Sequence, residues 1–151
     1  MPNDEGTRPI PPQARLLGAT GAVPFAAFVL GIWFAPPEFQ AWSRHALVAY
    51  GMVILAFVGA LHWGFTMKTP EMSEREQWTW MGWSVIPALA AWGAGILPYR
   101  LAIALLVVTF VVHLALDHKF APVSGLPAWY LRLRRRLTLV VVVCLLLGVV
   151  R

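Results

Sequence analysis

Among long apolar runs, a few residues could do chemistry: His62, His113, Asp117, His118 and a run of arginines at Arg132, Arg134, Arg135 and Arg136. A histidine beside a carboxylate can titrate near neutral pH, so such a pair can relay a proton or orient a small polar ligand. Thr109, His113 and Asp117 recur at i, i+4 and i+8 and so lie on one face of a helix. Asp117 could pair with an arginine from the run that follows it, or accept a hydrogen bond from His62 or His113. The candidate ligand-binding or proton-relay set is therefore His62, Trp63, His113, Asp117, Trp129, Tyr130, Arg132 and Arg134. The plainer reading of the same residues is an ion pair that pins two helices together.

Two histidines on different helices could also ligate a haem b. Such a site needs cleared space, and the chain offers no second pair, so haem b and quinone stand as minor alternatives and no cofactor is expected. No metal site is expected either, because His62, His113, His118 and Asp117 lack a recognised ligand spacing. There is no glycine-rich phosphate loop, serine nucleophile elbow or Cys-x-x-Cys pair. The one cysteine, Cys144, sits inside an apolar run and reads as a small packing residue. The chain does not read as an enzyme.

The elements that must hold these residues are membrane helices. Of 151 residues, 59% are hydrophobic and only 13% charged, against about 25% charged in a soluble domain. The apolar residues fall in runs of about 20, the length that crosses hydrocarbon. The fold expected is an all-α polytopic bundle with five transmembrane helices, near residues 16–35, 42–67, 78–97, 101–120 and 130–150. Residues 1–15, polar and proline-rich, read as a disordered tail ahead of a single domain over 16–151. Pro36-Pro37 ends the first span, and the polar stretch 68–77 is a turn leading into the third. The second span is central. Its small residues Ala56, Ala60 and Gly64 would let a neighbouring helix approach.

Counting basic residues on alternate sides sets the orientation. Arg8, Arg15, Lys68, Arg75, Lys119, Arg132, Arg134, Arg135 and Arg136 fall on one side; Arg44, Arg100 and Arg151 fall on the other. That bias puts the N-terminus in the cytoplasm of a bacterium, or in the mitochondrial matrix, with the C-terminus opposite, across the inner membrane. The net charge of +5 then belongs to anionic lipid near Arg132–Arg136 rather than to nucleic acid. In this arrangement His62, His113, Asp117 and the arginines share one layer just below the head groups. His62 and Asp117 differ in depth by only a few ångströms, at about 1.5 Å per residue.

The segments Gly21-Ala22-Val23-Pro24-Phe25, Tyr50 through Gly64 with its His62-Trp63-Gly64 ending, Ser84-Val85-Ile86-Pro87, Asp117, and Pro127 through Arg134 with Leu137-Thr138 carry a resemblance. Together they resemble the family of bacterial and mitochondrial membrane proteins that includes transmembrane protein 69, a domain of unknown function. His113 and His118 lie outside the resembling pattern. The resemblance implies a multi-span inner-membrane protein and no particular reaction. The role expected is a structural, assembly or accessory component of a larger membrane complex, with a membrane-protein partner or a second copy of itself. The alternative is a site for a small lipophilic ligand (quinone or lipid) or a proton relay around His62 and Asp117. Transport is less favoured, since no internal repeat is present.

Overall fold

Proline opens four of the helices. The computed structural model describes residues 9–151 and contains α1 Pro12–Phe34, α2 Pro37–Met67, α3 Glu74–Gly95, α4 Tyr99–Ser124 and α5 Ala128–Val150. Pro11, Pro36, Pro98 and Pro127 stand at the N-caps of α1, α2, α4 and α5. There the absent N–H costs nothing and the fixed φ already suits a helix. The fifth start, at α3, lies in the polar turn and uses side chains. Ser73 Oγ accepts from the Glu76 amide while the Glu76 carboxylate accepts from the Ser73 amide at 2.9 Å, a reciprocal cap. The Ser73 hydroxyl also donates to the Glu76 carboxylate, at 2.6 Å; that bond first, and then the one from the Ser73 amide, hold the Glu76 carboxyl below its ordinary value.

The element bounds depart from the sequence expectation at several places: α2 begins at Pro37 rather than near residue 42, and α3 at Glu74 rather than near residue 78. Residues 1–8 of the expected tail lie outside the described residues. Pro12 to Arg15, assigned to that tail, are already the first turn of α1 because Pro12 pre-sets helical backbone. Likewise α4 does not stop at Phe120 but runs through Pro122 to Ser124 and ends on Gly125, whose φ of 64° is the left-handed turn glycine accepts most readily.

Among the described residues all regular structure is helical. Of the five helices, α1, α2 and α4 are long and apolar enough to cross a membrane. The expectation of five spans is thus met in number of helices, with three meeting that criterion. Charge explains α5, whose first two turns carry Arg132, Arg134, Arg135 and Arg136. α3 opens on Glu74, Arg75, Glu76 and Gln77 and continues with tryptophan, glycine and alanine rather than with leucine and valine.

α2 packs against each of the other four helices, and α3, α4, α5 and α1 follow one another in an arc around it. Phe25, Ile32, Leu47, Leu55, Ile103, Leu106, Phe110 and Leu145 fill the interior. At one end of the bundle, Trp33 Nε1 and Tyr99 Oη donate to the carbonyls of Leu147 and Gly148, the last turn of α5, which has no helical donors of its own.

Close approach to α2 is made by glycines other than those read from sequence. At Gly59 an added Cβ would lie 2.8 Å from Pro87 Cβ and 3.1 Å from the Ser84 carbonyl oxygen. At Gly51 it would meet Leu106 at 3.1 Å. By contrast Ala60 is exposed, Ala56 only half-buried, and a Cβ at Gly64 would meet nothing. The Ala56, Ala60, Gly64 ridge therefore does not meet another helix of this chain. The face that does is Gly51, Leu55, Gly59, His62 and Thr66, all buried; small size alone does not say which side of a helix meets a neighbour. Gly59→Ala is expected to destabilise the bundle by about 1–3 kcal/mol through overpacking against Pro87, while Gly64→Ala leaves stability unchanged or slightly higher. Thermal unfolding of both variants in detergent checks the pair.

Candidate functional site

α2 and α4 run in the same direction at a fixed offset. Val58 meets His113 and His62 meets Asp117, each pair 55 residues apart. Both partners step by four residues, one helical turn, so a single register places two contacts. His62, His113 and Asp117 are completely buried. His62 Nε2 donates to Asp117 Oδ1 at 2.7 Å, and Arg134 Nε, from α5, donates to Oδ2 at 2.9 Å. The carboxylate thus ties three helices, with each oxygen taken by a different one. The charges of Asp117 and Arg134 cancel, and His62 supplies a donor in either protonation state.

His113 is held in one tautomer. Trp83 Nε1, a donor only, reaches His113 Nδ1 at 3.0 Å, so Nδ1 carries the lone pair. Nε2 then bears the hydrogen and donates to the Val58 carbonyl at 3.2 Å. Its distance to Asp117 Oδ1, 3.9 Å, is too long for a hydrogen bond. The rings of His62 and His113 lie 4.8 Å apart between centroids. Phe120 packs at 4.6 Å and Trp80 edge-on at 5.9 Å against His62.

The His62, His113 and Asp117 donor atoms lie within 4.8 Å of one another, a spacing that could hold an ion. The chemistry of the set disfavours one: both His113 nitrogens are engaged, and the guanidinium already neutralises the carboxylate. Imidazoles in mutual contact also leave no gap for a porphyrin. What the arrangement does offer is orphaned polar atoms. His62 Nδ1, Tyr130 Oη, Arg134 Nη2 and Thr138 Oγ1 are buried without a partner among the described residues.

Of the residues singled out from sequence, His62, His113, Asp117 and Arg134 converge. Trp63 does not: it is 45% exposed and faces outward, beside Trp78 and Met81 of α3. Residue 63 follows His62 by about 100° around the helix, so neighbours in sequence part in space. Trp129 packs on Tyr130, and Tyr130 in turn on Phe65. Arg132 is half-buried, and the arginine that holds the Asp117 carboxylate is Arg134. His118 is exposed and turns back to the Leu114 carbonyl. Trp80, Trp83, Phe120 and Thr138 were missed. The first two are placed only by the tertiary contact of Pro87 with Gly59, which on antiparallel helices brings Ser84 level with His62 and Trp83 beside it.

Residues 10–150 match the model of a protein family described as "Protein of unknown function (DUF3429)". Over 138 residues the chain is 33% identical to "Transmembrane protein 69" of Xenopus tropicalis, a match covering 87% of this chain and 51% of that protein. The chain thus spans about half the length of the curated relative it matches. No solved structure matches it.

The buried pair sets a clear expectation for mutants. Asp117→Asn strands Arg134 in a dry interior and should destabilise by about 3–5 kcal/mol. Replacing both partners, Asp117→Leu with Arg134→Met, should recover most of that loss. Denaturant unfolding of the single and double variants in detergent measures it, and a double variant no better than the single would refute the pairing.

Proposed function

The chain belongs to the family of proteins of unknown function (DUF3429), and from this premise we propose that it is a five-span integral membrane protein acting as an accessory or assembly component of a larger membrane complex. The observation that carries this reading is where the apolar surface lies. Leu16, Leu30, Phe57, Leu89, Trp92, Val108, Val111, Leu139 and Leu146, from all five helices, are exposed, while the helices are joined only by short turns. A chain built this way meets its surroundings through its sides, within the bilayer. The outward Val85, Ile86, Leu89 and Trp92 of α3 support giving that helix, too, a lipid- or protein-facing role, and so a fourth span. α5 becomes the fifth if its arginines extend along their stems toward the head groups, where anionic lipid would meet Arg135 and Arg136. The basic-residue bias supports the inner membrane of a bacterium or mitochondrion, N-terminus on the cytoplasmic or matrix side.

Chemical crosslinking in native membranes, followed by isolation in mild detergent, is expected to trap a membrane-protein partner or a second copy of the chain. A monomer with neither would refute the proposal.

A second reading, a lipophilic-ligand or proton-relay site around His62 and Asp117, is supported by the orphaned His62 Nδ1. His62→Gln keeps a donor for Asp117 but removes the imidazole. Under the relay reading it should abolish pH-dependent proton uptake in proteoliposomes while leaving the fold intact. Uptake indifferent to the substitution would leave His62 as a structural donor only.

A further inference from the structure

Threonine in a helix usually spends its hydroxyl on its own backbone. Thr66, Thr79 and Thr109 each donate to the carbonyl four residues back, and Thr20 to the one three back. Thr138 breaks this habit. It is 3% exposed, and its Oγ1 has no partner among the described residues. One turn earlier on the same face, Arg134, 6% exposed, donates through Nε to Asp117 but leaves Nη2 without a partner among the described residues.

Both side chains line one cavity of about 130 Å³ between α1, α2, α4 and α5. Its other walls are apolar, among them Gly21, Phe25, Val58, Phe110 and Val141. Leu17 and Phe57, also in the lining, are largely exposed on the outer surface, so the cavity opens sideways toward lipid. The volume is close to the roughly 150 Å³ that admits one benzene ring. His62 is not among the residues that line it.

We propose that this cavity binds the head of a lipophilic molecule through a neutral carbonyl oxygen, held by Arg134 Nη2 and Thr138 Oγ1, with its tail leaving between Leu17 and Phe57. Charge selects the class. Asp117 already neutralises Arg134, so a carboxylate would bring an unbalanced negative charge into a buried site, whereas a quinone or ester carbonyl accepts the same hydrogen bonds without one. Size admits a single ring or a short chain segment, with the remainder in the bilayer. The proposal rests on the ligand half of the second reading above but moves the site away from His62.

The test is an equilibrium titration of the full chain in detergent micelles, followed by native mass spectrometry. The probes are decyl-benzoquinone, methyl palmitate and palmitate. At least one of the two neutral probes should bind more tightly than palmitate, and which one binds identifies the source of the carbonyl. Thr138→Val removes a hydroxyl that has no partner among the described residues, so it should fold as the parent does and bind the preferred probe about tenfold more weakly. Gly21→Leu, at a position where an added Cβ meets nothing, should fill the cavity and abolish binding. Thermal unfolding confirms that both variants are folded. His62→Gln should bind as the parent does; loss of binding there alone would return the ligand to the histidine and overturn this location. The proposal is also overturned if no neutral probe binds, as when the donors hold only water. Palmitate binding tightest, or both cavity variants binding unchanged, would overturn it as well.

Discussion

One carboxylate in a dry layer constrains the rest of the molecule. Asp117 accepts from His62 on α2 through one oxygen and from Arg134 on α5 through the other. An unmatched charge at such a depth costs about 2.5–3.5 kcal/mol even on lenient insertion scales. The helices must therefore keep the register that supplies both donors. That requirement fixes α2 and α4 in parallel and sets the height of α5 against them.

The remaining packing follows from that register. Once Val58 lies against His113 and His62 against Asp117, the face of α2 turned toward α3 carries Gly59, and only glycine admits Pro87 so closely. Pro87 in turn sets α3 at the height where Trp83 reaches His113 and Trp80 covers His62. The aromatic side chains thus shield a polar cluster that lies toward one end of the bundle. The opposite end is tied differently, by Trp33, Arg44, Tyr99 and Arg151 reaching backbone carbonyls.

A satisfied ion pair and orphaned donors coexist on α5. Arg134 serves Asp117 with one nitrogen and leaves Nη2 without a partner among the described residues; it lines an apolar cavity with Thr138, which also forgoes its usual backbone bond. Burying unused donors is unfavourable, so a purely structural clamp would gain by replacing Thr138 with valine. The clamp and the cavity share one residue, which links the integrity of the bundle to whatever occupies the space beside it.

The sequence by itself determined the helices and the polar layer. Apolar runs, proline starts and the i, i+4, i+8 spacing of Thr109, His113 and Asp117 are local, and each acts through the backbone or through one helix face. Pairing an arginine with Asp117 was also within reach, because a buried carboxylate demands a counter-charge, though nothing local favours Arg134 over Arg132. Rotation of each helix about its axis was decided only by the tertiary structure. It turned Trp63 outward and His62 inward, put Gly59 rather than Gly64 at the contact, and enlisted Trp80 and Trp83 from a helix whose own pattern marks no inner face. In a bilayer both sides of a helix are apolar, so hydrophobicity cannot say which side is in. Interlocking shape and the matching of a few polar groups across helices make that choice.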